Sequence, residues 1–156
     1  MWKVFHRLDD VLLKWSWVPS FMLVLALCMV AVQAADRREP FEILSVEPAA
    51  ARPGEMVTIT AKVRRDTSRD CSARMNRAVF DSTRARFDYP LMTFSHALID
   101  SMELATPGEL RVSVMVPPSA APGLAELVSV LEYRCNRVHA LWPIEVTTTM
   151  PFTVLP

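Results

Sequence analysis

Phe21 to Val32, FMLVLALCMVAV, is twelve uncharged apolar residues in a row, and the run closes on the tripeptide Val32-Gln33-Ala34. A stretch this apolar has two outlets, an export signal or a membrane span. The tripeptide is of the kind that signal peptidase cuts. Either outlet places the residues that follow outside the cytoplasm, where a disulfide persists.

Two readings of the segment stay open. In the first, the chain is cleaved between Ala34 and Ala35. In the second, the segment remains as a membrane anchor. A bilayer crossing needs ~20 apolar residues. Residues 15–35 reach that length by including Pro19, two serines and Gln33, with Trp15 and Trp17 as interfacial aromatics. Upstream, Trp2, Phe5, Leu8, Leu12 and Trp15 recur at spacings of three and four, the pattern of one helix face lying on a membrane surface. Lys3, Arg7 and Lys14 precede the run and Arg37 and Arg38 follow it, so flanking charge sets no orientation. The organisation expected is residues 1–34 as signal peptide or signal anchor, 35–40 as linker, and 41–156 as one domain.

After residue 34 the chain holds 14 basic and 15 acidic residues. This balance gives no global attraction to nucleic acid or to acidic surfaces. All the basic residues there except Lys62 are arginine.

The exported part reads as strands. Val57, Ile59, Ala61 and Val63 alternate with Thr58, Thr60 and Lys62, a period of two with β-branched residues. Leu110, Val112, Val114 and Val116 repeat the pattern. Leu127, Leu131, Tyr133 and Cys135 line one face of a third run, opposite Glu126, Glu132 and Arg134. Ile144, Val146, Met150, Phe152 and Val154 mark a fourth. Shorter candidates are Phe41 to Val46, Ala78 to Asp81 and Arg86 to Phe94. No helical stripe stands out after residue 40. The three glycines all follow proline, at Pro53-Gly54, Pro107-Gly108 and Pro122-Gly123. Pro-Gly supplies the φ angles of a type II turn. The fold class expected is all-β: an antiparallel sandwich of about seven strands, preceded by an N-terminal hydrophobic helix.

Val46-Glu47-Pro48, with Arg52-Pro53-Gly54-Glu55-Met56-Val57-Thr58-Ile59-Thr60, resembles the first two strands of bacterial immunoglobulin-like domains. Pro151-Phe152-Thr153-Val154 resembles their last strand. Leu131-Glu132-Tyr133-Arg134-Cys135 is similar to a tyrosine corner, in which a Tyr lies two residues before a cysteine. Ala61 stands where antibody-type domains carry their first cysteine, and Trp142 comes near the end of the chain instead of in a third strand. The resemblance therefore implies an immunoglobulin-like architecture, with adhesion, assembly or scaffolding roles.

Cys28 lies in the apolar run. Cys71 and Cys135 are the only cysteines of the exported part and are expected to bond and tie a long loop to the core. A competing reading takes Cys135-Asn136-Arg137-Val138-His139 as similar to the copper loop of cupredoxins, with His96 adding a second imidazole. That electron-transfer reading needs a free Cys135 and lacks an axial Met soon after His139.

No catalytic motif stands out: Gly-x-Ser-x-Gly, a P-loop and His-Glu-x-x-His are all missing from the sequence. Ser95 and His96 are neighbours and cannot face each other along an extended strand. The expectation is no enzyme and no cofactor. One charged window remains. Arg64, Arg65, Arg69, Arg74, Arg77, Arg84 and Arg86 fall within residues 64–86, against Asp66, Asp70 and Asp81. As a docking site it would take an anionic envelope component or an acidic envelope protein. The function expected is a non-enzymatic binding or assembly module, periplasmic or extracellular, or held at the inner membrane if the signal is not cleaved.

Overall fold

The computed structural model describes residues 17–66, 68–95 and 108–156. The chain divides into two units, Met1–Arg37 and Arg38–Pro156. In the first, Trp17–Ala35 forms helix α1. Its 19 residues extend about 28 Å at 1.5 Å per residue, close to the thickness of a bilayer core. Pro19 falls in the first turn, where its missing N–H would have had no helical partner anyway. The helix is long and apolar enough to cross a membrane, with a mean hydropathy of 2.1, and it lies near the N-terminus as a signal sequence does. Ala34 and Ala35 are its last two residues. The amphipathic pattern from Trp2 to Trp15 lies outside the described residues.

The second unit is built of nine strands among the described residues: β1 (Phe41–Val46), β2 (Ala50–Ala51), β3 (Met56–Arg65), β4 (Ser72–Phe80), β5 (Arg86–Asp88), β6 (Met92–Phe94), β7 (Glu109–Met115), β8 (Gly123–Arg134) and β9 (Ile144–Val154). β1, β3 and β7 form one sheet, in that order. The other sheet runs β2-β9-β8-β4-β5, with β6 also pairing β4. Pairing is antiparallel except between β2 and β9, where Ala50 lies opposite Thr153 and Ala51 opposite Val154 in parallel. The larger sheet is therefore mixed, which departs from the purely antiparallel expectation. The chain leaves the first sheet after β1 and enters the second at β2 through Glu47-Pro48-Ala49.

The alternation read from the sequence is the alternation of burial. In β3, Val57, Ile59, Ala61 and Val63 are buried between exposed Thr58 and Lys62. Val57, Ile59 and Val114 of the smaller sheet share one core cluster with Val79, Leu127, Met150 and Phe152 of the larger. Ile59, Leu127 and Phe152 are among the largest fully buried side chains. Each is worth roughly 1.5–3 kcal/mol relative to exposure. A second cluster lies farther along the larger sheet: Ala73, Phe94, Tyr133, Ile144 and Val146.

Several expectations change. The short strand at Ala78 to Asp81 is the end of a longer one that begins at Ser72. Arg86 to Phe94 splits into β5 and β6 around Pro90, which has no N–H to give a ladder. A short helix, α2 (Arg137–Leu141), follows β8, capped by the Asn136 side chain accepting from the His139 N–H. Gly54 (φ 83°) closes the expected turn, with the Glu55 N–H donating to the Arg52 carbonyl at 3.0 Å. Gly123 instead opens β8 at φ 125°, outside type II turn geometry.

Pro151 sits inside β9 without cost. Thr153 N–H, on the same side of the strand, donates to Ala49 beside β2. Two residues earlier the parallel strand β2 has not yet begun, so the N–H that Pro151 lacks would have met no strand partner there.

Candidate functional site

The inner faces of both sheets border a cavity of ≈300 Å³. Its walls are apolar over most of their length. Phe41 and Ile43 of β1 and Leu110 and Val112 of β7 come from one sheet. Met75, Met92, Phe94, Leu131 and Tyr133 come from the other. Burial pushes the Tyr133 hydroxyl well above its ordinary pKa, and nearby Glu39 adds to the shift.

Six polar residues interrupt this lining: Arg65, Arg111 and Ser113 on the smaller sheet, and Arg77, Ser129 and Thr148 on the larger. Arg77 lies on the inward side of β4 between Met75 and Val79. It is in register with Ser129 of β8. Ser129 is in turn in register with Thr148 of β9. All three border the cavity. The row crosses three adjacent strands and marks where one core cluster ends and the other begins. Val79, Leu127 and Met150 lie on one side of it, and Leu131 and Val146 on the other.

Among the described residues, Arg77 Nε is buried with no hydrogen-bond partner. The guanidinium carbon lies 6.0 Å from the centroid of the Tyr89 ring. Tyr89 is held in place by donating its hydroxyl to the Met115 carbonyl. Arg65 and Arg111 also border the cavity, and no Asp or Glu does among the described residues. Arg111 is exposed and pairs with Glu109 at 3.0 Å. A buried polar atom left unmatched costs ~1–3 kcal/mol, so the Arg77 position carries an unmet demand for an acceptor.

The seven arginines of the window do not share one face. Arg64 pairs with Glu42, Arg84 with Glu126 at 3.5 Å, and Arg86 with Asp88 at 2.7 Å. Arg69 donates to the Arg38 carbonyl. Arg65 and Arg77 border the cavity, while Arg74 is exposed on the opposite side of β4, in register with Glu132. Strand alternation separates Arg74 from Arg77, because an odd step along a strand changes face.

Cys71 and Cys135 are bonded, with 4.0 Å between their Cα atoms. The expected pairing is present but its place is different. Ser72 lies opposite Arg134, so the bridge sits one step beyond the end of the β4–β8 ladder and clamps neighbouring strands of one sheet. It does not tie a loop to the core. The bridge also removes the thiolate that the copper reading required of Cys135. His139 is fully buried on α2 instead of lying on a loop, and His96 lies outside the described residues. Among the described residues no three of His, Cys, Asp and Glu are grouped to hold a metal ion.

Sequence reading missed the cavity, although its trace was present. Each apolar alternation skips one position, at Ser129 in β8 and at Thr148 in β9, and Arg77 interrupts β4. It also missed Leu141 and Trp142, exposed at the end of α2.

The sequence matches no protein-family model and no curated protein. Among solved structures, it has a likeness to Spo0M, a sporulation control protein from Bacillus subtilis, at 14% identity and a TM-score of 0.33. The likeness covers 76% of this chain and 51% of that one, so this chain spans about half of that protein's length. At that score nothing about fold or function is drawn from it.

Proposed function

We propose that the chain is an exported, disulfide-stapled, immunoglobulin-like β-sandwich that works as a non-enzymatic binding module at the cell envelope. Export is supported by the apolar helix α1 near the N-terminus together with the Cys71–Cys135 bridge, since such bridges persist in oxidising compartments. The sandwich reading is supported by the core cluster that draws side chains from both sheets. The observation that carries the binding role is the cavity crossed by the polar row Arg77, Ser129 and Thr148. A polar row inside a core costs stability, and pockets that are mainly apolar with a few placed polar groups are the usual form of a small-ligand site.

The test of export is made on the full chain expressed in bacteria. Protease added to spheroplasts is expected to degrade residues 38–156. N-terminal sequencing then separates a start at Ala35, the cleaved form, from an intact Met1 in the membrane fraction, the anchored form. Protection of the domain from outside protease, with Cys71 and Cys135 reduced, would overturn the envelope reading.

A further inference from the structure

The geometry points to a ligand of defined chemistry: a single-chain anionic amphiphile of the fatty-acid type, with its carboxylate against Arg77 and its chain along Met75, Leu131 and Phe94. This rests on the binding-module reading and deepens it. Three features agree. The first is charge. Arg65 and Arg77 border the cavity, and a cationic side chain attracts an anion.

The second is the unmet donor. Arg77 Nε is buried without a partner, and a planar carboxylate suits the guanidinium fork. The hydroxyls of Ser129 and Thr148 stand next to Arg77 in the same cross-strand row and are able to donate to the same carboxylate. The third is size and lining. A volume of ≈300 Å³ lies at the small end of ligand pockets, so it suits one acyl chain better than two. On one side of the polar row the walls are Met, Leu and Phe. Methionine adapts its shape to irregular apolar partners.

The experiment uses the full chain in nanodiscs of phosphatidylcholine, with dodecanoate carrying ¹³C at the carboxyl as the probe. A saturable protein-bound carboxyl resonance is expected, absent from empty discs, together with a rise in the thermal midpoint at saturating probe. Dodecyltrimethylammonium, with the same chain and a cationic head, is expected not to displace it. Arg77→Met should weaken binding on the order of tenfold or more, the weight of a charge-assisted hydrogen bond. Without probe, Arg77→Met should melt no lower than wild type, because it removes an unmatched buried group. Arg74→Met, on the other side of the same strand, should bind normally. If Arg77→Met does not fold, Thr148→Val is read instead and should also weaken binding.

Displacement by the cationic chain, or full affinity in Arg77→Met, would overturn the assignment. Displacement by phosphatidylglycerol added to the discs would replace the single-chain ligand with a diacyl lipid. Absence of any bound resonance, with the domain still exported and the bridge intact, would sink the amphiphile and leave the envelope reading standing.

Discussion

Arg77 lies directly opposite Ser129 across the β4–β8 pair, on the inner face of the larger sheet. Thr148 continues the row on β9. The fold therefore keeps three polar side chains abreast where apolar ones would pack better. Of these, Thr148 is the most readily replaced. Its hydroxyl makes only a long bond, 3.4 Å to the Ser129 carbonyl. Thr148→Val is expected to raise stability by about 0.5–1.5 kcal/mol, since the hydroxyl gains little from its present partner. Denaturant unfolding checks this: the midpoint should rise with an unchanged slope.

The bridge gives a prediction in thiol counts. Cys71 and Cys135 are bonded and Cys28 is free. Alkylation of the denatured, uncleaved chain should therefore modify one thiol before reduction and three after; a chain starting at Ala35 should show none before and two after. Closing a separation of 64 residues is worth about 4 kcal/mol in the chain-entropy account. Measured bridge contributions commonly fall below the chain-entropy figure, so the loss for the Cys71→Ala, Cys135→Ala double variant is expected at ~2–4 kcal/mol. Three thiols reactive before reduction would contradict the bonded state.

Asp81 ties two connections together and sets an acid limit. Its carboxylate accepts from the Thr83 and Ala85 N–H groups, the Thr83 hydroxyl, and the Ala121 N–H at 2.9 Å in the segment between β7 and β8. These bonds, led by that from Ala121, bring its pKa down from 3.8 to about 2. A depressed carboxylate contributes stability that is present above its unfolded pKa and lost as pH falls through the folded one. Stability should therefore decline between about pH 4 and pH 2. Asp66, lowered chiefly by Ser68, acts in the same direction. Asp81→Asn should be less stable at neutral pH and should show a shallower decline in that window when urea midpoints are followed against pH.

Two glycines separate backbone cost from crowding. At Gly54 (φ +83°) an added Cβ would meet nothing within 4 Å, so Gly54→Ala should cost only the positive-φ penalty, ~1 kcal/mol. At Gly123 (φ +125°) it would lie 2.9 Å from Ser82 Cβ, and Ser82 is fixed by donating to the Pro122 carbonyl. Gly123→Ala should cost more, roughly 2–3 kcal/mol. Equal melting temperatures for the two variants would refute this account of the β7–β8 connection.

The strands were legible because period-two alternation is a local signal. β1 and β9 run over the residues expected, and β3 and β7 differ only at their ends. Tertiary arrangement was not local. The gaps in apolar alternation at Ser129 and Thr148 are visible one strand at a time, but only register shows that they line up with Arg77. The parallel β2–β9 pair is two residues long and has no periodicity to read. Helix α2 is one turn, too short for a stripe, and its only sequence mark is the Asn136 cap. The arginine window looked continuous because sequence proximity hides strand parity.

That parity gives the last prediction. Arg74 and Arg77 are three residues apart, and one faces solvent while the other borders the cavity. Arg74→Glu places a carboxylate opposite Glu132, which itself faces Glu145 across β8 and β9. Like charges directly opposite are unfavourable, yet exposure screens them, so the cost should stay within about 0.5–1 kcal/mol and shrink in salt. Arg77→Glu places a carboxylate in the half-buried cavity lining beside Met75, Leu131 and Phe94. The loss should be larger, ~2–4 kcal/mol, insensitive to salt, and relieved at low pH where the new carboxyl is protonated. Unfolding midpoints at low and high salt, at pH 7 and pH 5, distinguish the two. A common salt-sensitive loss for both variants would mean that the two arginines share one solvated surface and that the inward placement of Arg77 is wrong.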